Sequence, residues 1–389
     1  MDKKKIQESL ELILDKERVL HKTEEMKIWG HDWTNDFPSD PLFVVFPKTT
    51  EEISKILSYC QQKKLPIVPS GGRTGLAGGC TAHKQEIVLS LDKMSKIINL
   101  DTSSMTIEVE AGAITENVQN YSSDLGLFFP IDLASKGSCH IGGNIATNAG
   151  GLKFIRYGGM REFVLGLEVV LADGEILDLN TNLRKNNTGY DLKQLFIGSE
   201  GTLGIISKAT LSLVKKPQNL TLSLLGVKDE KSLVKLLEKI NSKGFELSAF
   251  EFFTQEALSI VQKNFPQLKN NFLSSESPYY ALVEIESPLE NIKEKLEEIW
   301  IDLFEKNMIT DAFVANTSEE FKKVWSLREN ITESLTIDSH VKKNDVTITI
   351  NRIDEFIRTI REKAFSQLKQ IEIVLFGHLG DGNIHINYR

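Results

Sequence analysis

The sequence predicts an α+β protein with more than one domain, and three patterns along its 389 residues support this prediction. Residues 42–69 read as strand, helix and strand, a β-α-β unit that ends at a glycine-rich turn. Residues 220–305 alternate strand and helix in a pattern typical of an α+β domain with an antiparallel sheet. Glycine density falls between these regions, near Lys215-Lys216-Pro217. The predicted divisions are an N-terminal domain over residues 1–217, a second domain over 218–370 and a C-terminal segment over 371–389.

The N-terminal domain is expected to begin with a surface helix over residues 4–20, where apolar side chains recur among charges at helical spacing. The apolar run 42–46 predicts a buried strand. Residues 47–52 have the capping residue and early acids of a helix start, and this helix continues to Lys64. A short strand follows at residues 65–69. Further strands are predicted at residues 86–91, 105–110, 163–172 and 203–214.

Composition and charge exclude several classes of protein. The formal net charge of −8 argues against a general nucleic-acid-binding protein, because phosphate contact requires a basic face. Cys60, Cys80 and Cys139 form no CxxC, which excludes an iron–sulfur or zinc-ribbon cluster built from this chain alone and fits a reducing compartment. The charged N-terminus is unlike a signal peptide, and no apolar run approaches the roughly 18 residues of a membrane helix. We therefore expect a cytoplasmic protein without a transmembrane segment.

The first candidate site is the glycine-rich turn that follows residues 65–69. Successive glycines allow positive φ and direct several N–H groups at one anion, for which a diphosphate is the natural guest. Tight packing is the alternative explanation, and the turn alone does not decide between the two. The spacing excludes the GxGxxG Rossmann pattern, and the absence of GKS or GKT excludes the P-loop. The residues of this turn are Ser70, Gly71, Gly72, Arg73, Thr74 and Gly75.

Two further glycine-rich segments follow along the chain. Residues 138–151 have small side chains at nearly every position, so a flat ring can lie against their backbone. Residues 197–206 read as a turn that leads into a strand. Ser199 in this turn is a poor candidate for a hydrolase nucleophile, because Ile197 replaces the first glycine of a GxSxG elbow.

In this order and separation, the three segments resemble the vanillyl-alcohol-oxidase-like FAD-binding domain, in particular the branch with D-lactate dehydrogenase, the glycolate oxidase FAD subunit and D-2-hydroxyglutarate dehydrogenase. The resemblance runs from about residue 47 to the last residue. It implies a two-subdomain FAD-binding domain followed by an α+β cap domain with an antiparallel sheet. FAD is expected to bind non-covalently, because nothing in the first turn matches the histidine that tethers it in some relatives. The implied cofactor-binding residues are Ser70, Gly71, Gly72, Arg73, Thr74, Gly75, Asp132, Ser138, Gly142, Gly143, Asn144, Thr147, Asn148, Gly201 and Ile206.

A basic cluster in the second domain is the candidate substrate site. Residues 325–332 read as one helix that places Arg328 and Thr332 four residues apart on one face, and Lys343 follows. A guanidinium binds a carboxylate through two hydrogen bonds and a lysine adds a point charge. A solvated helix face explains the same pattern without any ligand. The resemblance implies that Arg328, Thr332 and Lys343 hold the carboxylates of a hydroxy acid.

The last segment contains a histidine pair in a predicted hairpin. If Asp381-Gly382 forms a two-residue type I′ turn, His378 lies directly opposite His385, with Cβ atoms roughly 5 Å apart. Such a pair is close enough to share one metal ion, but a hydrogen-bonded structural role is the alternative. The resemblance favours the metal, since the HxGDGNxH motif supplies two ligands to zinc or manganese in several members of the family.

The family pattern continues beyond this hairpin to a Glu-His-Gly segment, which completes the metal site and supplies the usual catalytic base. This sequence contains no Glu-His-Gly. We therefore expect the C-terminal part of the family pattern to be absent, and we assign no catalytic base. Two histidines alone make an incomplete metal site, because protein zinc sites use at least three protein ligands.

The function implied by the resemblance is FAD-dependent oxidation of a small 2-hydroxy acid, such as D-lactate, glycolate or D-2-hydroxyglutarate, to the 2-oxo acid. Two alternatives stay open. One is an FAD oxidase of another alcohol, and the other is a flavin-binding fragment or subunit that is inactive without the absent tail or a partner. The sequence leaves the electron acceptor open, and a homodimer is one candidate assembly.

Overall fold

The computed structural model describes residues 2–34, 37–269, 271–337, 341–367 and 371–389. The chain forms two compact units: unit 1 is Met1–Gly151 with Gly158–Lys216, and unit 2 is Leu152–Tyr157 with Pro217–Arg389. The domain limits predicted from the sequence stay predictions. None of the helices in the described ranges combines the length and apolar character that a membrane span requires.

Both units contain strands and helices. The strands are β1 (Val19–Leu20), β2 (Phe43–Val45), β3 (Ile67–Ser70), β4 (Ile87–Ser90), β5 (Ile97–Asp101), β6 (Thr106–Glu110), β7 (Leu127–Phe128), β8 (Val164–Val170), β9 (Ile176–Leu179), β10 (Ile205–Ser212), β11 (Val214–Lys215), β12 (Asn219–Val227), β13 (Glu246–Thr254), β14 (Tyr279–Ser287), β15 (Ile309–Val314), β16 (Lys342–Thr347), β17 (Ile373–His378) and β18 (Asn383–Tyr388). The helices are α1 (Lys3–Ile13), α2 (Thr23–Met26), α3 (Thr50–Lys63), α4 (Thr115–Asp124), α5 (Ile141–Ala146), α6 (Phe154–Tyr157), α7 (Met160–Phe163), α8 (Lys193–Phe196), α9 (Glu230–Ser242), α10 (Gln255–Asn264), α11 (Ile292–Glu305), α12 (Ser318–Glu329), α13 (Ile331–Ile337) and α14 (Ile353–Gln367). Short 3-10 turns occur at Lys16–Arg18, Lys27–Trp29 and Ile350–Arg352.

Unit 1 contains two larger sheets that hold the glycine-rich segments. The first sheet has the order β1-β2-β4-β3, with β2, β4 and β3 parallel. Its helix α3 begins after Thr49, whose side chain accepts a hydrogen bond from the Glu52 N–H, as predicted. The second sheet is antiparallel, with the order β5-β6-β10-β8-β9. The first glycine-rich turn therefore starts where β3 ends, at Ser70, and the third segment leads into β10.

The predicted N-terminal helix is too long at its C-terminal end. Helix α1 stops at Ile13, and Leu14 already has an extended backbone. Val19 then pairs with Val45, which makes β1 the edge of the first sheet. Helical spacing alone did not indicate the strand, because Val19–Leu20 is too short to show a period of its own.

The turn before β1 directs Arg18 at a carboxylate of α3. The Arg18 Nη1 and Nη2 atoms lie 2.6 and 2.8 Å from the two Glu52 oxygens, and Arg18 is buried. Burial raises the pKa of Glu52, but the hydrogen bonds from Arg18 and from the Lys48 N–H lower it more, so that the net shift is downward. This ion pair ties the N-terminal segment to the first sheet.

We expect the Arg18–Glu52 pair to make the stability of unit 1 sensitive to acid. Because the pKa of Glu52 is lowered on folding, its contribution is complete above the ordinary value of 4.5 and is lost as pH falls through the lower, folded value. Thermal unfolding midpoints measured from pH 6 downward should therefore fall less steeply for Glu52→Gln than for the wild type. Glu24→Gln removes an exposed pair with Lys27 and should keep the wild-type slope. Equal slopes for wild type and Glu52→Gln would contradict the assignment.

Unit 2 is built on one antiparallel seven-stranded sheet with the order β15-β12-β14-β13-β17-β18-β16. Side chains alternate along each strand, so the two faces of the sheet bury different residues. One face packs against α9, α11 and α14. The other face packs against α10, α12 and α13. The predicted α+β architecture with an antiparallel sheet is confirmed.

The short segment 152–157 belongs to unit 2 because of buried polar contacts. The Lys153 ammonium pairs with Glu284 of β14, and the two side chains are 8% and 2% exposed. The same carboxylate accepts hydrogen bonds from the Ser248 hydroxyl at 2.5 Å and from Trp325 Nε1 at 3.1 Å. The Tyr157 hydroxyl donates to Glu286 at 2.6 Å.

Candidate functional site

A cavity of about 460 Å³ lies in unit 1, and all three glycine-rich segments line it. This volume is in the range of small-molecule sites, roughly 300–1,000 Å³. The cavity begins at the end of β3, passes the start of α5 and reaches the turn before β10. The predicted cofactor-binding residues in its wall are Ser70, Gly71, Gly72, Arg73, Thr74, Gly75, Gly142, Gly143, Asn144, Thr147, Gly201 and Ile206.

The glycines of this cavity serve two different purposes. A Cβ on Gly72 would lie 2.1 Å from the Ser138 carbonyl oxygen, and one on Gly142 would lie 2.7 Å from the Ala111 Cβ. These two glycines therefore allow the protein to pack against itself. A Cβ on Gly75 or Gly143 would meet no protein atom within 4 Å. At those positions bare backbone faces the open cavity.

Three predicted cofactor residues do not line the cavity. Asp132 pairs with Lys136 at 2.8 Å. The Ser138 backbone packs on Gly72, and Asn148 Oδ1 accepts a hydrogen bond from the Arg161 N–H at 3.0 Å. The contact of these three residues with the cofactor stays a prediction.

Arg73 is in the wall, but its guanidinium already has protein partners. Nη1 lies 3.0 Å from the Gly71 carbonyl oxygen and 3.1 Å from Asp92 Oδ1. The guanidinium also lies over the Trp29 ring, 4.3 Å from its centroid. Arg73 therefore holds the glycine turn in shape while it lines the cavity.

Two buried polar atoms in the wall have no hydrogen-bond partner among the described residues, Ser70 Oγ and His140 Nδ1. A buried polar group without a partner costs about 1–3 kcal/mol, so both atoms are suited to a ligand. Burial lowers the pKa of His140, which favours the neutral ring. Sequence reasoning missed His140, although only Ile141 separates it from the Gly142-Gly143 pair. The wall thus offers bare backbone at Gly75 and Gly143 and two polar atoms, Ser70 Oγ and His140 Nδ1, to a ligand.

Unit 2 carries a second cluster, on the sheet face covered by α12. The predicted register of the histidine hairpin is wrong, because His378 pairs with Asn383, and His385 pairs with Phe376. The turn spans residues 379–382, and of these only Gly382 has positive φ, whereas a type I′ turn needs it at two residues. A shift of two residues keeps both histidines on one face. Their ring centroids lie 5.2 Å apart.

Each imidazole of the pair has a carboxylate at Nδ1. His378 Nδ1 lies 2.7 Å from Glu251 Oε1, and His385 Nδ1 lies 3.2 Å from Asp345 Oδ1. Strand pairing explains both contacts, because Glu251 is opposite His378 and Asp345 is opposite His385. An ionised carboxylate only accepts hydrogen bonds, so His378 Nδ1 donates to Glu251, whereas His385 Nδ1 lies within ion-pair distance of Asp345. In both rings Nε2 is the nitrogen that faces away from the carboxylate and can meet another ligand.

The same Glu251 carboxylate pairs with Arg328. Arg328 Nη2 lies 2.7 Å from Glu251 Oε2, in an ion pair whose angles do not make an aligned hydrogen bond. The guanidinium lies over the Phe376 ring, 4.6 Å from its centroid. Arg328 is 5% exposed, and its buried Nε has no hydrogen-bond partner among the described residues. The structure therefore excludes a solvated helix face at this residue.

Burial and the neighbouring carboxylate or cation shift the pKa of each of three groups in this cluster in opposite directions. Burial raises the pKa of Glu251, but the charges of His378 and Arg328 lower it below its ordinary value. Burial lowers the pKa of His378, and the Glu251 carboxylate raises it above the ordinary value. Burial lowers the pKa of His385, which stays below the ordinary value despite Asp345. The two imidazoles therefore differ in their affinity for a proton.

The predicted single helix through Arg328 and Thr332 is wrong. Helix α12 ends at Glu329, and α13 begins at Ile331, with Asn330 between them. Arg328 is buried and Thr332 is exposed, so the two do not share one helix face. Lys343 is exposed on β16, opposite Asn387 of β18. Only Asn344 lies between Lys343 and Asp345 in the strand, so Lys343 and Asp345 lie on the same sheet face, the one that carries His385.

No group of three or more His, Cys, Asp or Glu side chains suited to a metal ion occurs in the part of the chain that the structure describes. His378 and His385 therefore offer a two-nitrogen donor set, with their Nδ1 atoms already held by carboxylates. Glu251, which organises this cluster, was missed by sequence reasoning. It is 127 residues from His378 along the chain, so no local motif contains both.

The glycine-lined cavity is suited to a cofactor, and comparisons with known proteins identify the cofactor that the family binds. The FAD binding domain family matches residues 41–180, and the C-terminal domain family of FAD linked oxidases matches residues 216–389. The expectation that the C-terminal part of the family pattern is absent was therefore wrong.

Relatives that match nearly all of this chain place it within this family. D-2-hydroxyglutarate dehydrogenase of Stutzerimonas stutzeri is 38% identical over 384 residues, covering 98% of this chain and 81% of the bacterial enzyme. The mitochondrial D-2-hydroxyglutarate dehydrogenase of Arabidopsis thaliana is 39% identical, covering 96% of this chain and 67% of the plant enzyme. A putative mitochondrial D-lactate dehydrogenase of Schizosaccharomyces pombe is 40% identical, covering 93% and 71%. The chain belongs to the family of FAD-linked oxidases that contains these dehydrogenases, and it is an FAD-dependent oxidoreductase.

Solved structures with the same fold are more distant in sequence. p-Cresol methylhydroxylase superposes with a TM-score of 0.77 at 16% identity, covering 99% of this chain and 82% of that chain. Alkyldihydroxyacetonephosphate synthase gives 0.76 at 16% identity, covering 99% and 80%. At this identity the likeness shows the fold alone. The predicted vanillyl-alcohol-oxidase-type fold is confirmed.

Proposed function

We propose that this chain oxidises a D-2-hydroxy acid to the corresponding 2-oxo acid, with D-2-hydroxyglutarate as the first candidate substrate and D-lactate as the second. The observation that carries the proposal is the buried Arg328, whose Nε has no hydrogen-bond partner among the described residues and which belongs to the same cluster as the His378–His385 pair. An anion-binding group beside two imidazoles suits a substrate whose carboxylate neighbours the reacting hydroxyl. The names of the relatives support the same substrate class.

Each group of the cluster receives a role in this proposal. Arg328 binds the substrate carboxylate through Nε, which has no hydrogen-bond partner among the described residues, and Lys343 adds a positive charge. Thr332 lies exposed on the next helix and receives no role in this cluster. FAD, bound non-covalently in the unit 1 cavity, supplies the acceptor for the two electrons that leave the α-carbon. His378 and His385 orient the hydroxyl. The catalytic base is not assigned to a residue of this chain.

A divalent metal ion, zinc or manganese, is proposed as a partner of the histidine pair. His378 and His385 supply two of its ligands through Nε2, since Glu251 and Asp345 occupy the Nδ1 atoms. Such an ion, when bound, polarises the substrate hydroxyl. Metal content per chain, measured for the wild type and for His385→Ala after dialysis, tests this part. Homodimer formation and a cytoplasmic location stay predictions.

The experiment that tests the function is an anaerobic visible spectrum of the flavin-loaded protein. Addition of D-2-hydroxyglutarate or D-lactate should bleach the flavin absorbance, whereas L-2-hydroxyglutarate should not. Glycolate tests whether a side chain on the α-carbon is required. A flavin that stays oxidised with every hydroxy acid but is bleached by another alcohol would contradict the proposal.

Arg328→Lys is expected to raise KM for the hydroxy acid by about 10- to 100-fold. A hydrogen bond to a charged group contributes about 1.5–3 kcal/mol, and about 1.4 kcal/mol is a factor of ten. Lysine keeps the positive charge beside Glu251 but loses the forked donors. Steady-state kinetics with D-2-hydroxyglutarate measures the change.

Arg361→Lys is a matched control for this variant. Arg361 is another arginine of unit 2 that pairs with a carboxylate, Glu256, and lies over an aromatic ring, Tyr279. Its replacement should leave KM at the wild-type value. An equal change in KM for both variants would show a general effect on unit 2 and would remove Arg328 from the substrate site.

A further inference from the structure

We propose that Glu251 is a positioning residue that fixes Arg328 and His378 relative to each other. The inference rests on the proposed function, because it assigns Arg328 to the substrate carboxylate and His378 to the hydroxyl. Glu251 itself is not expected to touch the substrate, since its side chain is 1% exposed. It acts through the two groups that it holds.

The place of Glu251 in the sheet makes it the shared partner of the cluster. It lies in the middle of β13, between Leu282 of β14 and His378 of β17. Its Oε1 lies 2.7 Å from His378 Nδ1, and its Oε2 lies 2.7 Å from Arg328 Nη2. One rigid carboxylate group therefore sets the separation between a ring on a strand and a guanidinium on a helix.

Burial restricts the movement of Arg328 and Glu251 relative to each other. The Arg328 and Glu251 side chains are 6% and 1% exposed, so water does not replace either partner. A buried charge that loses its partner is strongly unfavourable, and this keeps the carboxylate between the two groups. Asp345, the corresponding carboxylate of His385, is 65% exposed and is screened by solvent. Glu251 is thus the stronger constraint of the two.

The contacts also determine which atoms are available for chemistry. Oε1 fixes the proton of His378 on Nδ1 and leaves the Nε2 lone pair for a ligand. Oε2 occupies Nη2 of Arg328 and leaves Nε, which has no partner among the described residues, for an anion. The substrate carboxylate and hydroxyl sit on neighbouring carbons. A fixed distance between their binding groups therefore lowers the entropic cost of orienting the substrate.

The test is Glu251→Gln, which keeps the size of the side chain but removes its charge. The glutamine amide accepts at only one of its two positions, so either the His378 contact or the Arg328 contact is lost. We expect kcat/KM for the hydroxy acid to fall by about 100-fold or more, with a decrease in kcat as well as an increase in KM, because effects on positioning appear in both. FAD content should stay at the wild-type level, since the cavity is in unit 1.

Glu284→Gln provides the matched control for a structural effect. Glu284 is a second buried carboxylate on the same face of the same sheet, and it pairs with Lys153 and Trp325. Both variants should lower the thermal unfolding midpoint, but only Glu251→Gln should change kcat/KM beyond about threefold. Equal kinetic changes in the two variants would overturn the inference.

A readout without catalysis covers the case in which Glu251→Gln folds poorly. In protein with ¹⁵N-labelled histidine, the chemical shifts of His378 report which ring nitrogen carries the proton. The wild type should show the Nδ1–H form, and Glu251→Asp should show loss of this preference while it retains the charge beside Arg328. If wild-type flavin is reduced by a hydroxy acid and both variants keep wild-type kinetics and tautomer, the inference fails and the proposed function stands. If the wild type itself is not reduced by any hydroxy acid, the proposed function fails.

Discussion

Gly143→Ala should weaken FAD binding by about 10- to 100-fold, since overpacking costs about 1–3 kcal/mol and about 1.4 kcal/mol is a factor of ten. A Cβ at this position meets no protein atom within 4 Å and projects into the cavity. The cofactor-free protein should be at least as stable as the wild type, because Gly143 lies within α5 and alanine favours a helix by about 0.5–1 kcal/mol. FAD titration of the deflavinated protein and its thermal unfolding measure the two effects.

Gly142→Ala is the neighbouring control with the opposite expectation. Its Cβ would lie 2.7 Å from the Ala111 Cβ, so the cofactor-free protein itself should be destabilised. The pair separates packing from ligand contact within one turn of helix. Wild-type FAD affinity in Gly143→Ala would show that this face of α5 does not contact the cofactor.

Lys153→Met should destabilise unit 2 by about 3–5 kcal/mol, the usual cost of removing one partner of a buried ion pair. Glu284 would keep the donors Ser248 and Trp325 but lose its only cationic partner in the described residues. The double variant with Glu284→Gln should recover a large part of this loss, because no uncompensated charge stays buried. Urea unfolding of the single and double variants measures both changes.

An exposed pair of the same unit shows how much of the effect comes from burial. Lys323 and Glu319 lie 2.6 Å apart with side chains 55% and 76% exposed. Lys323→Met should cost less than about 1 kcal/mol. A similar loss in Lys153→Met would mean that the Lys153–Glu284 pair is accessible to water.

The cavity of unit 1 was predictable from the sequence because its signal is local. Glycines that face a ligand and glycines that allow close packing lie within short segments, and the strands before and after them have clear apolar runs. The sequence does not distinguish glycines that face a ligand from glycines that allow the backbone to pack closely. Gly72 and Gly143 look alike in the motif, but one packs on Ser138 and the other faces the cavity.

The polar cluster of unit 2 was predictable only in part, because its contacts are long-range. Arg328, His378 and His385 were found through a resemblance, but Glu251 reaches them only through the pairing of β13 with β17. The hairpin register was missed because an Asp-Gly pair suggests a two-residue turn, and the structure has four residues there. The helix break at Asn330, which separates Arg328 from Thr332, was also missed, because no glycine or proline marks it in the sequence.

The placement of residues 152–157 in unit 2 has a consequence for the order in which the protein is made. These residues leave the ribosome before any strand of the seven-stranded sheet on which α6 packs. Unit 1 is interrupted at the same point and resumes at Gly158. During synthesis, the Lys153–Glu284 ion pair therefore cannot form until Glu284, which is 131 residues further along the chain, has been made. Unit 2 is complete only when residues 152–157, which interrupt unit 1, pack against residues made after unit 1. A chain cut between residues 216 and 217 therefore yields no fragment that contains all of unit 2.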